Sequence, residues 1–138
     1  MNYLYDASYI NALIIPDEKN SMIDKHHRAV DENDEIYTPQ LLWYEIANTF
    51  RKLNKQKRYP CDVTTHFFKI LSAIRMITDF GTGVDYLEKI WELGNKYKLS
   101  AYDAAYLELA DRKKAVLCTL DDDLLEAAKK HGVKVISM

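Results

Sequence analysis

The chain has 138 residues, 48% of them hydrophobic and 29% charged, with a net charge of −2. That balance fits one ordinary globular domain, taken as residues 1–138, and excludes a disordered chain, a disulfide-stapled mini-domain and a broad basic nucleic-acid coat. Cys61 and Cys118 form no CxxC pair, no apolar run nears the ~20 residues of a membrane span, and the N-terminus lacks a basic leader, so the expected location is cytoplasmic, with no membrane contact.

Short apolar runs alternate with longer helical patterns along the chain, the mark of an α/β domain with a central parallel sheet and helices on both faces. Asn2–Tyr5 reads as the first strand and Ala7–Ile14 as a short helix, with Asp6 or Ser8 near its start. A loop over Pro16–Asn20 precedes the helix Ser21–Asp31, opened by Ser21 as cap with Asp24 three residues on. Glu35–Thr38 is a brief strand, and Pro39 at a first helical position starts Gln40–Asn54, whose Leu42, Ile46, Thr49, Phe50 and Leu53 share a side.

After a polar, basic break at Asn54–Pro60 comes the helix Cys61–Arg75, with Phe67, Ile70, Leu71 and Ile74 as its stripe. Met76–Thr78 is a candidate third strand, followed by the turn Asp79–Gly83. Val84–Tyr97 is helical with Leu87, Ile90, Trp91 and Gly94 facing in. Ser100 caps the helix Ala101–Arg112, pairing with Asp103 in a capping box. Ala115–Thr119 is the clearest core strand, Asp121–Lys130 a helix closed by His131-Gly132, and Val133–Ile136 a last strand. The sheet thus has four or five strands.

Acids fall where an open parallel sheet carries its functional groups, just past strand ends. Asp6 follows Tyr3-Leu4-Tyr5, and Asp121 follows the run Val116–Leu120. Asp103 lies on the first turn of its helix. Glu45 projects from a helix interior on the face of Leu41, Leu42 and Thr49, where a lone carboxylate is costly unless it is paired or holds a cation. Each acid alone has a plainer role: Asp6 and Asp103 in helix capping, Asp121 in a favoured first helical turn. Together they repel one another unless a divalent cation neutralises them. An all-oxygen donor set selects Mg²⁺ or Mn²⁺, and such a site is suited to phosphodiester hydrolysis.

Four stretches carry a resemblance to a known family: Tyr5-Asp6-Ala7-Ser8, Thr38–Asn48, Leu99–Leu107 with its Ser-Ala-Tyr-Asp-Ala-Ala-Tyr-Leu string, and Leu117–Leu124 with its Thr-x-Asp. In this order and spacing the chain resembles the PIN-domain ribonucleases, especially the VapC-type toxins of toxin–antitoxin pairs. The resemblance implies a Mg²⁺- or Mn²⁺-dependent endoribonuclease that uses Asp6, Glu45, Asp103 and Asp121 as metal-binding acids. It also implies Ser8 and Thr119 as polar supports, Asn48 as a group orienting Glu45, a homodimer and an antitoxin partner. Asp123 competes with Asp121 for the fourth position, while Asp122 reads as a solvated acid.

Arg51, Lys52, Lys55, Lys57 and Arg58 form a basic stretch that either contacts the RNA backbone or serves a helix C-terminus and solubility. His26 and His27, being adjacent, point to different helix faces and read as surface residues. Two rival functions remain: a stand-alone PIN nuclease without an antitoxin, and a receiver-like signalling domain. The second lacks the paired acid after the first strand and the lysine near Thr119 that such a domain needs.

Overall fold

The computed structural model describes residues 1–136. Its elements are β1 (Asn2–Tyr5), α1 (Ala7–Ile14), a 3₁₀ turn (Pro16–Glu18), α2 (Ser21–Ala29), β2 (Glu35–Pro39), α3 (Leu41–Lys55) and α4 (Cys61–Ser72). They continue with β3 (Ile77–Asp79), α5 (Val84–Tyr97), α6 (Ala101–Lys113), β4 (Val116–Cys118) and α7 (Asp122–His131). The four strands are all parallel in the order β3-β2-β1-β4, with Leu4 opposite both Tyr37 and Leu117. The chain adds strands outward from β1 to β3, then crosses back to lay β4 on β1's other side. The β1/β4 boundary is therefore the sheet's switch point, where such folds open a crevice at the strands' C-terminal ends.

Alternation along β1 builds two cores. Tyr5 faces one with α1, Ile23 of α2, and Ile46 and Phe50 of α3; Leu4 faces the other with Leu107 of α6 and Leu124 of α7. Helix α6 is buried continuously from Ala104 to Ala110, because the sheet covers one side and α5 the other. At the sheet edge Arg112 binds both oxygens of Asp79 at 3.0 and 2.7 Å and also grips buried Glu108, tying β3 to α6. No described helix is long and apolar enough to cross a membrane.

Several boundaries differ from expectation, each for a local reason. Asn20, not Ser21, caps α2, its side chain accepting from the Met22 and Ile23 amides. Pro39 ends β2 opposite Asp79 instead of opening α3, whose flank is Gln40. The segment Val133–Ile136 makes one isolated parallel bridge, Val135 to Leu117, rather than a strand. Helices α2 and α4 stop at Ala29 and Ser72, short of the expected Asp31 and Arg75.

The expected inward stripe of α5 is also corrected. Leu87 and Trp91 are exposed, and the face toward α6 is Tyr86, Ile90, Leu93 and Tyr97. Two apolar stripes overlap at Ile90, and periodicity cannot tell which one finds a neighbour. Ile70 of α4 is likewise exposed. The adjacent histidines are not surface residues: His27 Nδ1 meets the hydroxyl of Tyr5 at 2.7 Å, and His26 Nδ1 that of Tyr9 at 2.6 Å. Burial lowers the pKa of both rings, which favours the neutral forms that fit against these two tyrosines.

Candidate active site

Strand β1 ends in Tyr5, and the next residue turns out of the sheet to cap α1. Asp6 is buried, with one carboxylate oxygen accepting from the Tyr9 amide at 2.9 Å and the Ser8 hydroxyl at 2.7 Å. Thr119, buried one residue past β4, donates to the other oxygen. The Leu120 amide donates to Ser8 Oγ and the Asp121 amide to Thr119 Oγ1, so the β4 exit loop braces Asp6 through two hydroxyls. Three of a carboxylate's roughly four acceptor positions are thereby filled, which leaves room for one further ligand. Burial raises the pKa of Asp6, these hydrogen bonds oppose the rise, and the charge of Asp121 adds to it.

Asp121 does at β4 what Asp6 does at β1. It caps α7, accepting from the Leu124 amide at 3.0 Å. Asp123, exposed on the first turn of α7, lies close enough to help raise the pKa of Asp103, while Asp122 is exposed beside it.

Glu45 and Asp103 approach from the helices. Tyr106, one turn beyond Asp103 on α6, donates its hydroxyl to Glu45 Oε1 at 2.5 Å. Burial raises the pKa of Glu45, Tyr106 counters it, and Asp6 and Asp103 add to it. The Asp103 amide donates to Ser100 Oγ at 3.1 Å, one half of the expected capping box; the return bond is missing, since among the described residues no hydrogen bond reaches the Asp103 carboxylate. Burial, then Asp121, Asp6 and Asp123, push Asp103 up to about 6. Asp6, Glu45, Asp103 and Asp121 therefore meet at one end of the sheet, each within reach of another's charge.

Asn48 is exposed and, among the described residues, makes no hydrogen bond to Glu45; the side chain that donates to that carboxylate is Tyr106. Arg51, Lys55, Lys57 and Arg58 are also exposed; Lys55 lies ten residues past Glu45, about 15 Å along the helix axis, and Arg58 pairs with Asp17 at 2.5 Å. Among the described residues no three His, Cys, Asp or Glu side chains close into a ready metal cage. The acids do fit a hard cation by donor type: all are oxygen ligands, they oppose one another's ionisation, and they keep unused acceptor positions.

A parallel sheet with acids at its switch point and helices on both faces defines the class, and residues 3–130 match the PIN domain family. The chain belongs to that family. It is 30% identical over 126 residues to Ribonuclease VapC3 of Pyrobaculum aerophilum, covering 91% of this chain and 94% of that relative. Its fold is similar to the crystal structure of PAE2754 from Pyrobaculum aerophilum, with a TM-score of 0.70, 28% identity and coverage of 98% of this chain and 83% of that one.

Proposed function

We propose that this PIN domain is a Mg²⁺- or Mn²⁺-dependent endoribonuclease that hydrolyses RNA phosphodiesters, and that it is the toxin of a type II toxin–antitoxin pair, acting as a homodimer held in check by an antitoxin. The mutual charge of the acids carries this reading: Asp103 is pushed up to about 6 by burial together with three other aspartates, a cost without return unless a cation joins them. Likeness to a relative named Ribonuclease VapC3 supports the choice of RNA and of a toxin.

Asp6, Glu45, Asp103 and Asp121 would hold the cation, with Asp123 within reach as an auxiliary. The bound cation supplies Lewis acidity and neutralises charge on the phosphodiester. Ser8, Thr119 and the Tyr9 amide fix both oxygens of Asp6, so its orientation is set before any ligand arrives. The Tyr106 hydroxyl does the same for Glu45.

The test is cleavage of a panel of structured RNAs with Mg²⁺ or Mn²⁺, by wild type and by Asp6→Asn. Cleavage is expected from wild type alone and is expected to stop with EDTA; activity that survives either change would sink the mechanism. Growth arrest on expression, relieved by a small reading frame beside the gene, is the expected sign of a toxin. Cleavage without arrest would leave a stand-alone PIN nuclease.

A further inference from the structure

A strand engaged at the carboxylates must leave across a neighbouring surface, and the structure offers one with the right charge. Between the C-terminal turn of α5 and helix α7 lies a groove of about 570 Å³, with Tyr97 in its wall and three lysines, Lys96, Lys98 and Lys130, outnumbering two acids, Asp123 and Glu126. Asp123 lines one end of the groove and its charge acts on Asp103, so that end lies near the acidic cluster.

The three ammonium groups come from two different helices. Lys96 and Lys130 sit in the last turns of their helices and Lys98 caps α5, where dipoles favour cations; what the fold adds is that both helix ends border one groove. The local charges leave them available: Lys130 pairs with Glu126 at 3.4 Å, but both side chains are about two-thirds exposed, so the pair exchanges cheaply for a phosphate. Lys98 sits in the left-handed conformation that caps α5, with φ of 56°, which fixes where its side chain leaves the backbone. The Tyr97 hydroxyl meets His131 Nδ1 at 2.7 Å, holding the wall in place.

We infer that the groove between α5 and α7 is the exit path of the RNA strand, its phosphates held by Lys96, Lys98 and Lys130. This rests on the reading of the cluster as an RNA-cleaving site. It assigns backbone binding to a set of basic residues other than Lys55, Lys57 and Arg58 at the distal end of α3.

The test compares wild type, K96Q/K98Q/K130Q and K55Q/K57Q/R58Q, all confirmed folded by circular dichroism. Binding of a short, unstructured, fluorescein-labelled RNA is followed by anisotropy in EDTA over a range of KCl concentrations. Losing three phosphate contacts should flatten the slope of log K against log salt by about 2, at roughly 0.7 per contact on a single strand, and weaken binding about tenfold or more at low salt. The α3 variant should keep the wild-type slope. An unchanged slope in K96Q/K98Q/K130Q, with RNA cleavage by wild type intact, overturns the groove alone; if that variant also loses binding to poly-L-glutamate, the groove belongs to an acidic protein segment. Wild type that neither binds nor cleaves RNA overturns the groove and the nuclease reading together.

Discussion

The acids at this site come in two kinds. Asp6 and Asp121 stand just past the ends of adjacent parallel strands, and each caps the helix that follows, accepting a backbone amide from its first turn. Glu45 and Asp103 are carried on helices α3 and α6, and at most one side-chain hydroxyl reaches either carboxylate. Position at the strand ends is thus fixed by main chain, and the same geometry that starts a helix aims the carboxylate. Position on the helices depends on packing between elements far apart in sequence. The strand-borne pair defines where the site is; the helix-borne pair determines how strongly its charges oppose one another.

The largest expected effect falls on the strand-borne pair. Asparagine caps a helix about as well as aspartate, so Asp121→Asn should keep α7 and the fold while removing the charge. If Asp121 is the fourth ligand, RNA cleavage falls by about 1,000-fold, the scale of several kcal/mol of lost charge stabilisation at the reacting phosphate. Circular dichroism and melting temperature should stay near wild type. Asp123→Asn, altering an exposed acid, should cost far less in the same cleavage assay. The reverse ranking would transfer the fourth position to Asp123 and weaken the symmetry between the two strand ends.

A smaller effect is expected where one side chain orients another. Tyr106→Phe removes the hydroxyl donated to Glu45 and leaves the buried ring in place. Loss of such a supporting hydrogen bond typically costs ~10–100-fold in metal affinity or activity. Titrating cleavage against Mn²⁺ should show a raised metal requirement for Tyr106→Phe and little change in rate at saturating metal. An unaltered Mn²⁺ titration would mean that α3 alone holds Glu45 in place.

What the sequence made legible follows the same division. An apolar run ending in aspartate marks both strand ends, so local pattern locates these two acids, while Ser8 and Thr119 as their supports come from the family resemblance. Ser100 as the cap of α6 was readable from local pattern as well. Tyr106 lies within the Ser-Ala-Tyr-Asp-Ala-Ala-Tyr-Leu string, but its partner Glu45 is 61 residues away, and only the fold brings the two together. The Arg112 clamp on Asp79 and the tyrosine–histidine pairs of α2 are equally non-local, so Asp79 read as a turn residue and His26 and His27 as surface. Periodicity finds an apolar face but not its cover, which is why Leu87 and Trp91 of α5 read as inward although they are exposed. The lysine groove is invisible in sequence because its two sides are about thirty residues apart, a separation that only the fold closes.

The smallest effect concerns stability, and it separates Asp103 from the braced Asp6. The pKa of Asp103 is about 6 in the folded chain against 3.8 as its ordinary value, so between these pH values the folded state binds the proton that the unfolded state lacks. Stability from this group is therefore gained as pH falls through 6 and lost as pH rises. His26 and His27 act in the opposite sense: burial lowers their pKa, so their contribution is lost as pH falls below the usual histidine range. A single melting curve against pH mixes the two, but comparison of wild type with Asp103→Asn isolates the carboxylate. In EDTA at pH 8, Asp103→Asn should melt higher than wild type by roughly a few degrees, since each kcal/mol moves a domain of this size by several degrees. The gap should narrow toward pH 5, where wild type is protonated. Millimolar Mn²⁺ should reverse it at pH 8, because binding to the folded state stabilises wild type and the variant lacks one ligand. A gap independent of pH would mean that Asp103 titrates as an ordinary solvent-exposed acid, and that the helix-borne half of the cluster is not under the strain its neighbours impose.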